Sequence, residues 1–439
     1  MNILKKQGAK AMTEDKDFKE PEGLPEGWKW VRLGEIANLV KDISPEGSKP
    51  YLEIGDIDIH SKNYTIKEKE SPNHCIKAKR GNIVISKVRP TRGAISLIKE
   101  AFLYVSPAFS VLEADNSTFL FYSLSRRQFF NYLGSLETGT TYPSVNDKDV
   151  MNYELPLPPL PEQRKIAEIL ETVDNAIEKT EKIIEKYKRI KQGLMQDLLT
   201  KGIDENGNIR SEKTHKFKDS PLGKIPEEWE VVRLGEISYL KGRIGWHGLT
   251  VQEYLEEGEY YLVTGINFKD GRINWDSCVY VSKARYEMDR YIQLKKDDIL
   301  VTKDGTIGKV AYIFQVPKPA TLGTGVFVLR PICKSYYPNF LYYVLNSFIF
   351  DRFMENLKAG STINHLYQKD FVNFLLPLPP LSEQQRIAEI LSQIDQAIEK
   401  EEKYKEKLER LKQGLMQDLL TGKIRVNHLI EEGAENVST

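Results

Sequence analysis

The sequence predicts an α+β protein that arose by internal tandem duplication. Two mixed α/β domains are separated by two long helices, which pair as an intramolecular antiparallel coiled coil in a pseudo-twofold arrangement. Three observations predict this. Residues 155–200 and 376–421 align without a gap, with 33 of 46 positions identical. Within each copy, apolar residues recur at alternating steps of four and three. The opening LPEGWKWVRLGEIA, at 24–37, returns as IPEEWEVVRLGEIS at 225–238, so the repeat includes the globular segments.

Each helix follows an LPLPPL run that cannot be helical inside. Proline lacks the amide donor, and the residue before it is pushed to extended conformations. Pro161 suits a first helical turn, and Ser382 with Gln385 fits a capping box. The first apolar seam is Ile166, Leu170, Val173, Ile177, Ile184, Tyr187, Leu194 and Leu198. The second is Ile387, Leu391, Ile394, Ile398, Leu408, Leu411, Leu415 and Leu419. Both have charged flanks, as a coiled coil does. Gly202 and Gly422 mark the ends. Gly193 and Gly414 weaken each helix near its end and predict a close approach there.

Along the chain, 1–23 reads as a flexible lead-in, 24–158 as the first domain and 159–201 as the central helix. A polar, turn-rich linker follows at 202–224, then the second domain at 225–379, the distal helix at 380–422 and a tail at 423–439. FLFYSL and FLYYVL, from Phe119 and Phe340, read as amphipathic helices. GNIVISKVRPTRGAISLI and FSVLEA read as strands in the first domain; DDILVTKDGTIGKVAYI and GVFVLRP read as strands in the second.

Lys and Arg number 63, as do Asp and Glu, so the net charge is zero. That excludes a blanket electrostatic binder but leaves room for local basic clusters. No apolar run approaches the ~20 residues of a membrane span. The N-terminus is not a secretory signal. Cys75, Cys278 and Cys333 are scattered and odd in number, which fits a reducing cytoplasm and no zinc site.

The helical frame is kept between copies while the middle of each domain differs. Two unlike heads on matching arms suit an asymmetric, two-part target. In the first head Lys77, Lys79, Arg80, Lys87, Arg89, Arg92 and Lys99 fall close together with no acid among them until Glu100. Such clusters suit phosphate contact, and Arg, Asn and His on loops suit base edges. The nucleic-acid candidates of the first head are Lys79, Arg80, Lys87, Arg89, Arg92, Thr141, Tyr142, Ser144 and Asn146. Those of the second are Arg243, Trp246, His247, Arg272, Asn274, Lys303, Lys309, Thr362, Asn364 and His365. The turns at Gly139 and Gly360 either offer donors to phosphates or simply join helix to strand.

The paired LPLPPLPEQ and LPLPPLSEQ runs, the two KQGLMQDLLT ends and the openings at Trp28 and Trp229 resemble the specificity subunits of type I restriction–modification enzymes. The resemblance covers roughly 24–421. It implies two target recognition domains, each reading half of a split DNA sequence, with helices that fix the gap. It also implies partners: two modification subunits that methylate adenine from S-adenosylmethionine, and motor-nuclease subunits that use ATP and magnesium. No cofactor is expected on this chain.

No catalytic constellation stands out. There is no [ND]-P-P-[YFW] run. DGTIGK, from Asp304 to Lys309, lacks phosphate-loop spacing and reads as a hairpin or a DNA-facing loop. The six histidines form no helical ligand pair. Carboxylates read as solvated groups on helix flanks and turns. The chain is therefore expected to be non-catalytic by itself. A coiled-coil scaffold whose heads bind proteins is the competing reading.

Overall fold

The computed structural model describes residues 23–44, 49–67, 70–72, 74–139, 141–243, 249–358 and 365–430. The chain divides into two units, Met1–Glu181 with Lys403–Thr439, and Lys182–Glu402. Each unit therefore contains one globular domain, part of the helix that follows it and part of the other long helix. The lead-in at 1–22 lies outside the described residues.

The two units repeat one architecture. In the first, an antiparallel sheet orders Ala37–Leu39, Phe109–Ala114, Ile83–Ser86 and Ile95–Leu97. In the second, Ser238–Gly242, Val326–Pro331, Ile299–Thr302 and Val310–Tyr312 occupy the same order. A second sheet in each unit includes one parallel pair, Tyr51–Leu52 beside Phe102–Val105 and Tyr260–Val263 beside Ala320–Leu322. The central strands read as unbroken apolar runs because both faces are covered. Ile83 and Ile85 point into one core and Val84 into another; Ile299 and Val301 against Leu300 repeat the pattern.

The LPLPPL runs split in two. Their first halves are strands, Glu154–Leu157 and Leu375–Leu378, paired with Lys29–Arg32 and Glu230–Arg233. Helices then run over Leu160–Leu198 and Leu381–Leu420, each about 60 Å long. Ser382 lies inside the second helix, so the expected capping box does not form. Instead Gln384 Nε2 donates to the Pro379 carbonyl at 2.8 Å, and Gln163 Nε2 to that of Pro158 at 2.9 Å. FLFYSL and FLYYVL are helical but buried on nearly every side rather than amphipathic.

Of the seam residues, Ile166, Leu170, Val173, Ile184, Leu198, Ile387, Leu391, Ile398 and Leu419 are buried. Ile177, Leu194, Ile394, Leu408 and Leu415 are half-buried. Leu411 is 50 % exposed and lies off the seam. Near the helix starts the seam does double duty: Ile166 and Leu170 join the core of the first domain, Ile387 and Leu391 that of the second. Among the described residues nothing makes the expected close approach to Gly193 or Gly414: a Cβ at either would meet nothing within 4 Å.

Opposite charges pair the helices antiparallel. In the first unit Lys412 meets Asp174 at 2.6 Å and Lys405 meets Glu181 at 2.6 Å; in the second, Lys191 meets Asp395 at 2.6 Å. The domain joins the same node. Tyr122 donates to Asp174 Oδ2 at 2.7 Å, and Tyr343 to Asp395 Oδ2 at 2.8 Å. Burial, with the carboxylate beside it, pushes both phenols well above their ordinary pKa.

A second node recurs where each domain opens. Trp28 Nε1 donates to Glu162 Oε2 at 3.0 Å, and Arg425 grips the same carboxylate at 2.7 and 2.9 Å. Trp229 Nε1 donates to Glu383 Oε2 at 3.1 Å, and Arg210 forks onto Glu383. The glycines that end the helices, Gly422 and Gly202, both have positive φ; a Cβ on Gly202 would strike the tryptophan node, and one on Gly422 would strike Pro25 beside Trp28. Only glycine suits both demands. These buried carboxylates correct the expectation that solvation explains the acids.

Candidate nucleic-acid interface

In the first unit, the loop that leaves strand Ile83–Ser86 is stitched to two neighbours. The Lys87 amide donates to the Ala108 carbonyl at 2.9 Å, and the Val145 amide to the Lys87 carbonyl at 3.0 Å. Val88 then bridges to Ser144. In the second unit, the Lys303 amide donates to Gly325 at 2.9 Å, the Leu366 amide to Lys303 at 2.8 Å, and Asp304 bridges to His365. One backbone frame thus holds the same two loops in both units. The turn after Gly139 belongs to the second loop of the first frame; the turn at Gly360 lies outside the described residues.

On the first frame stands a compact cationic and aromatic cluster. Arg89 is left-handed, with φ 47° and ψ 53°, before the turn Pro90–Arg92. A non-glycine residue there costs on the order of 1–2 kcal/mol. Its amide donates to the Pro143 carbonyl at 2.7 Å, and its guanidinium lies 5.6 Å from the Tyr142 ring. Tyr142 is 71 % exposed, and Thr141 and Arg92 are exposed beside it. Lys87 is turned to Asp147 at 3.1 Å. The Asn146 side-chain oxygen caps helix Asp147–Met151.

Lys79 and Arg80 are elsewhere. They occupy the turn at the other end of strand Ile83–Ser86, ~13 Å from the Arg89 loop by strand rise. The single basic cluster of the sequence is therefore two surfaces. The second unit has the matching turn: the Lys295 amide donates to Asp298 Oδ2 at 2.8 Å, as that of Lys79 does to Asn82 Oδ1 at 2.7 Å.

On the second frame His365 Nδ1 pairs with Asp304 and its ring lies 4.7 Å from that of Tyr367. Lys309 is exposed, while Lys303 is half-buried over Phe327. The loop Asp304 to Lys309 joins strands Ile299–Thr302 and Val310–Tyr312 as a hairpin. Arg272 turns to the distal helix, meeting Glu399 at 2.8 Å. The Asn274 amide donates to the Asn267 carbonyl at 2.8 Å, and its side chain is half-buried. Arg243 is buried, donating to the Leu322 carbonyl at 2.8 Å and Thr321 Oγ1 at 3.2 Å. A guanidinium so placed holds loops together and reaches no base edge. Trp246, His247, Thr362 and Asn364 lie outside the described residues.

Sequence reasoning missed Lys62, Ile266 and Tyr367 at these ends. Ile266 is 76 % exposed and follows Gly265, where a Cβ would press on Thr302. It had no sequence signal beyond a lone apolar residue. Tyr367 could have been found, because it follows His365 in the turn that replaces TYPSVN.

Among the described residues, no group of three or more His, Cys, Asp or Glu could hold a metal, and no helix is long and apolar enough to cross a membrane. The model of the type I restriction modification DNA specificity domain matches residues 25–189 and 226–410, one match on each repeat. The chain belongs to this family. Its relatives include the MjaVIII specificity subunit of Methanocaldococcus jannaschii, 33 % identical over 95 % of this chain and 98 % of that one. The MjaX specificity subunit of the same organism, described as putative, is 32 % identical over 74 % of this chain and 71 % of its own. A chain solved in work on the assembly and conformational transition of a type I system has a TM-score of 0.54 at 26 % identity, covering 92 % of this chain and all of that one. The S subunit from M. genitalium, at 19 % identity, shares the fold with a TM-score of 0.59. The chain is thus a DNA specificity subunit of a type I restriction–modification system.

Proposed function

We propose that each unit reads one half of a bipartite duplex target from the loops of its shared frame. The observation that carries this is the frame itself: the same backbone bonds present Arg89, Arg92 and Tyr142 in one unit and Asp304, His365 and Tyr367 in the other. Phosphate contacts dock each end and base-edge contacts select sequence. The antiparallel helices set the gap between halves.

The chain contributes recognition and no chemistry of its own. Two modification subunits that carry S-adenosylmethionine methylate adenine, and restriction subunits that use ATP and magnesium translocate and cut. All of this takes place in the cytoplasm. Apolar side chains left exposed on the helices, Ile183 and Ile190 on one, Tyr404 and Leu411 on the other, support docking of the modification subunits there.

Mapping methylated adenines in cells carrying the intact system, and in cells carrying Arg89→Ala with Arg92→Ala, tests the reading. One half of the motif should become degenerate while the other half and the gap stay fixed. Loss of sequence preference in both halves together would overturn the division of labour.

A further inference from the structure

We propose that Lys62 is a positioning residue for base reading by the first unit, its ammonium pinning the Arg89–Gly93 turn from beneath. The inference rests on the proposed reading role of that turn.

Lys62 sits in the hairpin closed by the Ile57–Tyr64 bridge, itself in a left-handed conformation. Its Nζ donates to the Ile59 carbonyl at 2.7 Å and, across the fold, to the Gly93 carbonyl at 2.8 Å. The same ammonium lies 5.2 Å from the centre of the Phe130 ring. Gly93 closes the turn that carries Arg89 and Arg92, with φ 74° and ψ 31°. Helix Arg127–Ser135, which carries Phe130, also packs on the turn, with Gly134 against Thr91. A left-handed residue at each end of the turn makes its height and tilt sensitive to any anchor that is lost. One cation holding two loop carbonyls over an aromatic face is such an anchor.

The surroundings explain why the pin responds to pH. Charged or titratable groups on the elements around it are Asp58 and His60 of the hairpin, Arg89 and Arg92 of the turn, Arg127 of the helix, and Lys412 of the distal helix. Burial first, then Lys412, lower the Lys62 pKa to about 8, against the opposing pull of Asp58. The ammonium is thus charged below that value and neutral above it. A neutral amine still donates, but more weakly and with no cation–π attraction. Phosphates docking above the turn favour the charged form, so binding of the first half-site takes up a fraction of a proton.

The test uses the full-length chain assembled with its modification subunits. Methylation rates are compared for the intact target and for every single-base change in either half, from about pH 7 to about pH 9, on either side of the lowered value. In the unaltered protein, discrimination in the first half falls several-fold over this range relative to the second half, which serves as the internal control. Lys62→Met has low first-half discrimination throughout, a flat profile and an unchanged second half. Lys62→Arg restores discrimination and removes the pH dependence, because a guanidinium stays charged. A Lys62→Met protein that keeps the original profile, or that loses both halves equally along with thermal stability, overturns the inference. Arg89→Ala, run in parallel, separates the two claims. Loss with Arg89→Ala but not with Lys62→Met sinks only the role of Lys62. No loss with either sinks the reading turn and the inference together.

Discussion

The two recognition ends share a skeleton and differ in charge. At one bridge position the first unit places Val88 against Ser144, with Arg89 and Tyr142 projecting beside it; the second places Asp304 against His365. An arginine on an aromatic face is a donor-only group suited to guanine and phosphate. A histidine paired through Nδ1 with a carboxylate offers a single ring nitrogen in place of a guanidinium fork. Because the backbone bonds are equivalent, selection can alter a half-site by changing side chains on the frame without disturbing the sheet. The structural nodes behave in the opposite way: Trp–Glu–Arg and Tyr–Asp–Lys are the same residue types in both units.

The largest effect that would sharpen this contrast lies in the tryptophan nodes, where the units differ in burial. Arg210 is 9 % exposed and Glu383 8 %, whereas Arg425 is 27 % exposed over a Glu162 that is 2 % exposed. Removing one partner of a buried pair leaves the other uncompensated, at about 3–5 kcal/mol. Glu383→Ala should therefore destabilise by that order, while Glu162→Ala should cost less because Arg425 can rehydrate. Thermal unfolding of the two variants checks the ranking. An equal loss would mean that the nodes act through tryptophan and packing rather than through charge.

Next in size come the readers. Arg89→Ala should cost about 1–3 kcal/mol of discrimination, the range for a bidentate base contact, confined to one half-site. Asp304→Asn leaves the frame in place but frees His365 to choose its tautomer, so it should relax a single base position in the other half with a smaller change in total affinity. Competition binding with singly substituted duplexes measures both. If Asp304→Asn weakened all sequences uniformly, the pair would be a phosphate anchor and not a reader.

The gap between halves gives a further test. Four residues inserted near Glu178, and four near Glu399, add ~6 Å and turn the following segment by ~40°. The methylated motif should keep both halves and gain one or two base pairs between them. A change of half-site sequence at constant gap would refute the ruler.

Much of this was legible in the chain because duplication exposes design. The four-and-three seam, the apolar strand runs and the two openings follow from periodicity and proline chemistry, and most of their residues fold as read. Leu411 shows the limit: it is apolar but stands one residue out of the four-and-three register, where Lys412 faces the partner helix instead. The nodes were visible as identical Trp, Glu, Tyr, Asp and Lys positions in both copies. Their meaning needed contacts across 134 and 154 residues in the tryptophan nodes, which no local pattern encodes. The basic cluster misled for a similar reason. Adjacent positions such as Arg80 and Lys87 lie at opposite ends of one strand, while Arg89 and Tyr142 meet only through the frame. Arg243 looked like a reader because arginine in a glycine-rich loop usually faces water; here two loop acceptors draw it inside.

The smallest predicted effect concerns Gly193 and Gly414. Both lie within a helix, and neither has a neighbour that a methyl group would strike. On backbone entropy alone, alanine at either should stabilise the isolated chain by about 1 kcal/mol. We propose that the modification subunit, docking on the exposed apolar side chains named above, also reaches this bare backbone. The two measurements then pull apart. Gly414→Ala should raise the unfolding temperature of the chain alone and weaken its assembly with the modification subunit by sedimentation or calorimetry. Stabilisation with no loss of assembly would confine docking to the exposed side chains such as Tyr404 and Leu411 and leave the glycines outside it.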